Sequence, residues 1–167
     1  ALLMFFAGAY PAYALDLNAL PNGGSVAAGA ASIVQSDSRL DINQTSQNAS
    51  LNWDSFNIGA NAQVNFHQPS ASSVALNRVA AAAGASEIFG QLNANGQVFL
   101  LNPNGVLFSQ NAQVNVGGLV ASTMSLSDAD FLAGKYTFLR NGSAAAVINQ
   151  GTLTAAELQR IRETLTA

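Results

Sequence analysis

The sequence GQVFLLNPNGVLFSQNAQVNVGGLVAST, residues 96–123, decides the fold class. Its apolar pieces, such as Val98–Leu101 and Val106–Phe108, are short and are separated by turns that contain Asn and Gly. None of them has the length of a helix, and evenly spaced short strands with turn residues between them are typical of an all-β protein. We therefore predict stacked strands that are joined by tight corners.

The tetrapeptide Asn102-Pro103-Asn104-Gly105 is the sharpest of these corners. Pro103 fixes φ at the second position of a turn, and Gly105 permits a left-handed backbone. The amides of Asn102 and Asn104 can close hydrogen bonds on either side. Two hypotheses stay open for these four residues. The turn either contacts a partner protein or only shapes and stabilises the coil, because turn chemistry alone explains each residue.

Upstream of this corner, the stretch from Leu51 to Phe66 alternates apolar and polar residues, with a one-residue slip at Ser55. Such alternation predicts a strand, and the slip predicts a bulge or a corner. The Ala-rich run Val74–Ala85 instead predicts a short helical turn before Gly84.

The pentapeptide NAQVN occurs twice, at residues 61–65 and 111–115. Successive coils of a parallel β-helix stack in register, so an inward Asn can hydrogen-bond the Asn of the next coil and form a ladder. The alternative is that Asn is simply frequent in turns, where it tolerates a left-handed backbone. The two uses are compatible, and we predict a ladder.

Composition limits the range of functions. The 167 residues fit one domain, and only 9% of them are charged, with a net charge of −3. Because the six Lys and Arg residues do not cluster, we predict no nucleic-acid partner. The lack of Cys excludes disulfides, thiolate catalysis and Cys-based zinc sites. Residues 51–125 carry only Asp54, Arg78 and Glu87 as charges, too few for the charged cluster of a polysaccharide lyase or hydrolase.

Few titratable groups remain for catalysis. On a strand, Asp128 and Asp130 would share a face as a glycosidase-like pair, but Ser127 before them favours a turn. His67 beside Pro69 is also typical of a turn, and no nearby acid suggests a general base. We therefore predict that the protein is not an enzyme and has no cofactor or metal.

Both ends of the chain differ from its centre. Residues 1–14 form an apolar run that ends in Ala12-Tyr13-Ala14, a pattern typical of a secretory signal peptide and its cleavage site, with Leu15 as the first mature residue. It lacks an initiator Met and a basic start, so we expect a remnant; the alternative is a buried apolar segment. At the other end, a capping box that starts at Thr154 predicts a helix over residues 154–167, either native or a truncated or foreign segment.

Four segments together resemble a known family. They are SFNIG at residues 55–59, QPSASSVALNRV at 68–79, the stretch 96–123 with its NPNG turn, and SDADFLAGKYTF at 127–138. Over about residues 15–153 the chain resembles the N-terminal secretion domain of two-partner-secretion (TPS) exoproteins. This is the filamentous-haemagglutinin type, which is also called the haemagglutination activity domain.

The resemblance implies a right-handed parallel β-helix with an N-terminal cap and an extra-helical hairpin. It also implies export through the periplasm of a Gram-negative bacterium and recognition by the POTRA domains of a TpsB-type outer-membrane transporter. The domain would then nucleate β-helix folding at the cell surface, as the targeting module of a large secreted or surface-bound adhesin or haemolysin-like exoprotein. A host glycan or receptor would bind a downstream region.

Two departures limit this resemblance. The second, NPNL-type motif of some members is not evident, and the predicted helical tail replaces further coils. The alternative function is a stand-alone β-helix adhesin that binds host glycan through its Asn-rich face.

Overall fold

Short strands dominate residues 14–155, the part of the chain that the computed structural model describes. Strands of this length agree with the short apolar pieces between turn residues, and the all-β prediction is confirmed. The elements in chain order are β1 (Ser25–Ala28), β2 (Ala31–Ser36), β3 (Arg39–Gln44), β4 (Asn48–Trp53), β5 (Gln63–His67), β6 (Val74–Val79), β7 (Ser86–Ile88), β8 (Gln91–Ala94), β9 (Gln97–Leu101), β10 (Val106–Phe108), β11 (Gln113–Val116), β12 (Gly118–Ser122), α1 (Asp128–Leu132), β13 (Val147–Asn149) and β14 (Thr152–Ala155).

The strands stack into three sheets that wind about four turns of a right-handed parallel β-helix, as the resemblance implied. The six-strand sheet has the order β14-β11-β8-β5-β3-β2, and the five-strand sheet has the order β1-β4-β6-β9-β12. The three-strand sheet has the order β13-β10-β7. One coil therefore runs through β5, β6 and β7, and the next through β8, β9 and β10.

Alternate residues of each strand point into the helix and stack on the same position of the next coil. In the six-strand sheet, the register aligns five inward residues from successive coils. Four of them are buried and the fifth packs against the same core. Neighbouring strands lie about 4.8 Å apart, so like side chains make continuous apolar contact. Each fully buried Val or Leu contributes about 1.5–3 kcal/mol. The row consists of Leu40, Val64, Leu92, Val114 and Leu153.

The slip at Ser55 is a corner, as predicted, but the alternating stretch is not one strand, because β4 ends at Trp53 and β5 begins at Gln63. Ser55 forms an isolated bridge with Asn22 at the corner after β4. Beyond this corner Ile58 points inward and bridges Ile88 of the next coil. Ala60 departs from the alternation, because it lies exposed at the following corner.

The N-terminal cap is formed by two antiparallel strands. β1 pairs with β4, and β2 pairs with β3 through six residue pairs, so both cover the free edge of the first coil. The segment before them also contacts this coil, because the amides of Gly59 and Asn61 donate to the carbonyls of Ala19 and Leu17.

The helical turn predicted within Val74–Ala85 is wrong, because this run contains strand β6. Local helix propensity is weak and yields to packing on both faces of the strand. Ala75 and Val79 lie in the core of the β-helix, whereas Val74 and Leu76 lie in a second apolar cluster outside it.

This second cluster lies beneath residues 123–146, which join β12 to β13 and which we call the insert. The insert contains α1, and Ser125 and Leu139 form an antiparallel bridge at its base. It is the extra-helical hairpin that the resemblance implied. Helix α1 has five residues, and no helix in residues 14–155 is both long and apolar enough to span a membrane.

The C-terminal boundary differs from the prediction. Strand β14 continues through Ala155 and pairs in register with β11. The predicted boundary between residues 153 and 154 is therefore wrong, and the helix does not start directly after Thr154. The capping box is a local signal, which the non-local pairing of Thr154 with Asn115 overrides. The remainder of the predicted helix lies outside the described residues.

Candidate functional site

The NPNG corner joins β9 of the five-strand sheet to β10 of the three-strand sheet. The Gly105 amide donates to the Asn102 carbonyl at 3.0 Å, which closes a four-residue turn with Pro103 at its second position. The side chain of Asn102 also accepts from the amide of Asn104 at 2.9 Å. The predicted rigid corner is therefore confirmed.

Asn102 is fully buried, with 0% of its surface exposed. Its Nδ2 donates to Gly84 O at 3.1 Å and to Ser86 Oγ at 2.9 Å, both in the coil before it. Its backbone amide donates to Ser122 O, in the coil after it, at 2.9 Å. The side chain of Asn102 thus gives the buried Ser86 Oγ a partner that it would otherwise lack.

Asn104 and Gly105 extend the same contacts. Asn104 Nδ2 donates to the carbonyls of Ala81 and Ala83 in the preceding coil. Gly105 has a φ of +101°, and a Cβ at this position would lie 2.8 Å from Ala146 O. Both the left-handed backbone and the close approach of the insert therefore require glycine.

The insert covers the turn from the other side. Ser143 Oγ donates to Pro103 O, and the amide of Val106 donates to Ala146 O at 3.2 Å. Only Pro103 and Asn104 of the four turn residues stay partly exposed. This geometry supports the shaping role of the corner, and the recognition role stays a prediction.

The outer face of the five-strand sheet carries an apolar patch, and the insert covers it. Phe131 of α1 is fully buried, and its ring centroid lies 6.3 Å from that of Phe99. The Tyr136 and Phe138 rings lie 5.2 and 6.3 Å from the same Phe99 ring. No sequence pattern predicted this aromatic cluster, because Phe99 lies far along the chain from the three rings that pack on it.

Arg78 clamps the start of the insert onto this sheet. Its guanidinium donates to Leu126 O at 2.8 and 3.0 Å and to Asp128 Oδ1 at 2.6 Å. Partial burial would raise the pKa of Asp128, but hydrogen bonds from Arg78 and Ser50 outweigh it and hold the pKa below its ordinary value. The carboxylate therefore stays charged and paired near neutral pH.

The turn expected at Ser127 is instead the start of a helix. Ser127 caps α1 by accepting the amide of Asp130 at 3.1 Å. Residues two apart on a helix do not face each other, so Asp128 and Asp130 do not form the glycosidase-like pair.

The predicted Asn ladder is present, but on the outside of the β-helix. Asn65, Asn93 and Asn115 occupy equivalent positions on β5, β8 and β11, between inward apolar residues. Asn93 Nδ2 donates to Asn65 Oδ1 at 2.9 Å. The inward orientation was wrong, because the neighbouring inward positions are filled by Val64 and Phe66.

The ladder ends on Asp41 of the first coil. Asn65 Nδ2 donates to Asp41 Oδ1 at 3.2 Å, and His67 Nε2 lies 3.0 Å from the same oxygen. The hydrogen bond from Arg39 is the main reason that the pKa of Asp41 is lowered to about 2. His67 thus has an acid neighbour, which the sequence did not suggest. Across residues 14–155, no group of three or more His, Asp and Glu side chains is arranged to hold a metal ion.

The signal-cleavage prediction falls at the edge of the described chain. Ala12 lies outside the described residues, whereas Ala14 is exposed and Leu15 is half-buried. Cleavage before Leu15 stays a prediction.

Comparisons with known proteins agree with this architecture. Residues 17–164 match the family described as TPS secretion domain. The solved HMW1 secretion domain from Haemophilus influenzae is similar over 81% of this chain and 36% of that chain, with a TM-score of 0.76 and 34% identity.

Two curated relatives from Haemophilus influenzae are each called heme/hemopexin-binding protein. One is 45% identical over 125 residues, which cover 75% of this chain and 13% of the relative. The other is 42% identical over 113 residues, which cover 68% of this chain and 12% of the relative. The chain therefore spans only a small part of the length of these relatives.

Proposed function

The chain belongs to the family of TPS secretion domains, and from this premise we propose that it directs the export of a larger exoprotein by binding the POTRA domains of a TpsB-type outer-membrane transporter. The exoprotein passes through the periplasm and becomes secreted or surface-bound. The domain then nucleates the folding of a β-helix at the cell surface. We assign the adhesin or haemolysin-like activity to the rest of the exoprotein.

The observation that carries the proposal is the difference between the two ends of the β-helix. At the first coil, the antiparallel strands β1 and β2 cover the edges of β4 and β3 and so interrupt the parallel stacking of the coils. At the last coil, β12, β13 and β14 each pair on one side only within the described residues. Unpaired strand edges are templates for further strands.

The addition of further coils is thermodynamically favourable at this C-terminal edge. In a solenoid, each repeat is stabilised mainly by its interface with the neighbouring repeat. A preformed coil offers that interface at once, so a segment that follows it does not have to form a nucleus by itself. At the N-terminal end, β1 and β2 occupy the edges of β4 and β3, so a further parallel coil cannot stack directly on the first coil.

We propose that the NPNG corner acts on export through the fold. Asn102 is inaccessible to a partner but holds three consecutive coils in register. The transporter would recognise the assembled surface, to which Pro103 and Asn104 contribute their exposed parts.

The main experiment is a pull-down of the mature segment, starting at Leu15, by the purified POTRA region of a cognate transporter. Binding to a host-glycan array is measured in parallel. We expect capture by the POTRA region. Glycan binding without POTRA capture would overturn the proposal in favour of a stand-alone adhesin.

Asn102→Ala separates the two roles of the corner. It removes the hydrogen bond to Gly84 O and leaves the buried Ser86 Oγ without a partner, and we expect a loss of about 1–3 kcal/mol of unfolding free energy together with reduced secretion. Asn111→Ala, at an exposed turn, is the matched control and should change neither quantity. If Asn102→Ala abolishes capture without lowering stability, the corner contacts the transporter directly and the fold-mediated role is wrong.

A further inference from the structure

The outer face of the six-strand sheet carries a groove with a volume of about 470 Å³. It runs across three coils at the ends of their strands, where the Asn ladder meets the next corner. Most of its lining side chains carry an amide. The lining residues are Asn65, Phe66, His67, Gln68, Asn93, Ala94, Asn95 and Asn115.

The wall of the groove is held in place before any ligand arrives. Gln68 and Asn95 exchange two hydrogen bonds of 2.7 Å, in which the Asn95 side chain pairs with the backbone of Gln68. Asn65 is fixed between Asp41 and Asn93. Rigid amides lose little conformational entropy when they bind a ligand.

Hydrogen-bonding capacity is left over on the same surface. Asn93 uses its Nδ2 on Asn65, which leaves its Oδ1 free within the described residues. Asn115 is exposed, and its side chain makes no hydrogen bond within residues 14–155. Since each amide both donates and accepts, the row offers both functions at strand spacing, about 4.8 Å apart.

Charge and strand pairing restrict the kind of ligand. The lining contains no Lys, Arg, Asp or Glu, and its one imidazole, that of His67, already contacts the carboxylate of Asp41, so no basic group of the lining is left to pair with a phosphate, a sulfate or an acidic sugar. An extended peptide would need a free strand edge, but β5, β8 and β11 are each paired on both sides. An uncharged ligand rich in hydroxyl groups fits both conditions.

We propose that this groove binds a neutral oligosaccharide, with Asn93 and Asn115 as the side chains that contact its hydroxyl groups. This site goes beyond the export function and does not rest on it. The same chemistry is present in neutral glycans of the bacterial envelope and in those of a host surface, and the choice of probe distinguishes these sources.

The test is a two-dimensional ¹H–¹⁵N NMR titration of the full chain. The probes are maltohexaose, a neutral host-type lacto-N-tetraose and, as a peptide competitor, an uncharged Ser/Asn hexapeptide. We expect one of the two sugars to shift the side-chain amide signals of Asn93 and Asn115, with a dissociation constant on the order of 1 mM, because hydrogen bonds alone carry the affinity.

Asn115→Ala should weaken this binding roughly three- to tenfold, since it removes one hydrogen-bonding group without disturbing the fold. Gln110→Ala, an exposed amide at a corner outside the groove, is the matched control and should bind as the parent chain does. The site is wrong if neither sugar shifts these signals, if the hexapeptide binds instead, or if Asn115→Ala binds as tightly as the parent chain.

Discussion

The outer faces of the five-strand and six-strand sheets are built on the same coils but have opposite character. On the five-strand sheet, Phe99 and Val120 point outward and are buried under the insert. On the six-strand sheet, Asn93 and Asn115 point outward and face solvent. The inward rows of both sheets are mainly apolar; Asn77 is an exception, and it accepts a hydrogen bond from Trp53 Nε1. The outward row alone therefore decides whether a face of the β-helix is covered or stays open.

The same difference is visible in the residue pattern of the strands. β9 reads QVFLL and is apolar at four successive positions, which is typical of a strand that is buried on both faces. β11 reads QVNV and alternates, which is typical of a strand with one face in water. An apolar run without alternation thus indicates a strand whose outer face is covered by another part of the chain.

Removing the cover should have the largest effect on the molecule. Phe131→Ala deletes a fully buried ring that packs on Phe99, and we expect a loss of about 3–5 kcal/mol of unfolding free energy in urea denaturation. Binding of a dye specific for exposed apolar surface should rise at the same time. A loss below about 1 kcal/mol would mean that the insert does not stabilise this face.

Two arginines allow a direct comparison of the faces. Arg78→Ala removes the clamp to Leu126 O and Asp128 on the covered sheet, and we expect a loss of about 1.5–3 kcal/mol. Arg39→Ala removes an ion pair with Asp41 on the open sheet, where solvent screens it, and we expect a clearly smaller loss than for Arg78→Ala. Equal losses in thermal or urea unfolding would contradict the distinction between the faces.

The Asn ladder gives a smaller effect within the open face. Asn93→Ala breaks the hydrogen bond to Asn65, and we expect a loss of about 0.5–1.5 kcal/mol. Asn115→Ala removes a side chain without a partner in residues 14–155 and should lie within about 0.5 kcal/mol of the parent chain. Urea unfolding of the two variants measures whether pairing within the ladder, rather than Asn itself, stabilises the sheet.

Acidification should give the smallest effect, because the Arg39 and His67 side chains beside Asp41 are about half exposed and solvent screens their interaction with it. The pKa of Asp41 is about 2, below the value near 3.9 of an unfolded chain, so its contribution is present at neutral pH and is lost as the pH falls from about 4 to about 2. Asp41→Asn should flatten this part of the stability profile, measured by urea unfolding at several pH values. An unchanged acid profile in the variant would show that Asp41 is not the responsible group.

The sequence predicted the features that depend on residues close together in the chain. Alternation located the inward rows around Leu51 and Val64, and turn chemistry located the corner at Asn102. These local patterns did not predict contacts between segments that lie far apart in the chain. The aromatic rings that cover Phe99, such as that of Phe131, come from residues more than 30 positions later in the chain. No local pattern predicts that contact.

Local signals also misled where a distant partner was stronger. The capping box at Thr154 is a valid helix start in isolation, but pairing with β11 makes this residue part of a strand. For the candidate site, the sequence identified the turn residues correctly. It could not separate shaping from contact, because that distinction rests on the burial of Asn102.

The hydrogen bonds of Asn102 bear on how the whole domain unfolds. A solenoid whose repeats touch only their neighbours can fray from its ends, one repeat at a time. Asn102 is bonded to the coil before it and to the coil after it, and the insert closes over the same corner through Ser143. Loss of either neighbouring coil therefore removes partners from this buried amide. Amide hydrogen exchange in these coils should occur only when they open together, so the corner makes a modular architecture cooperative.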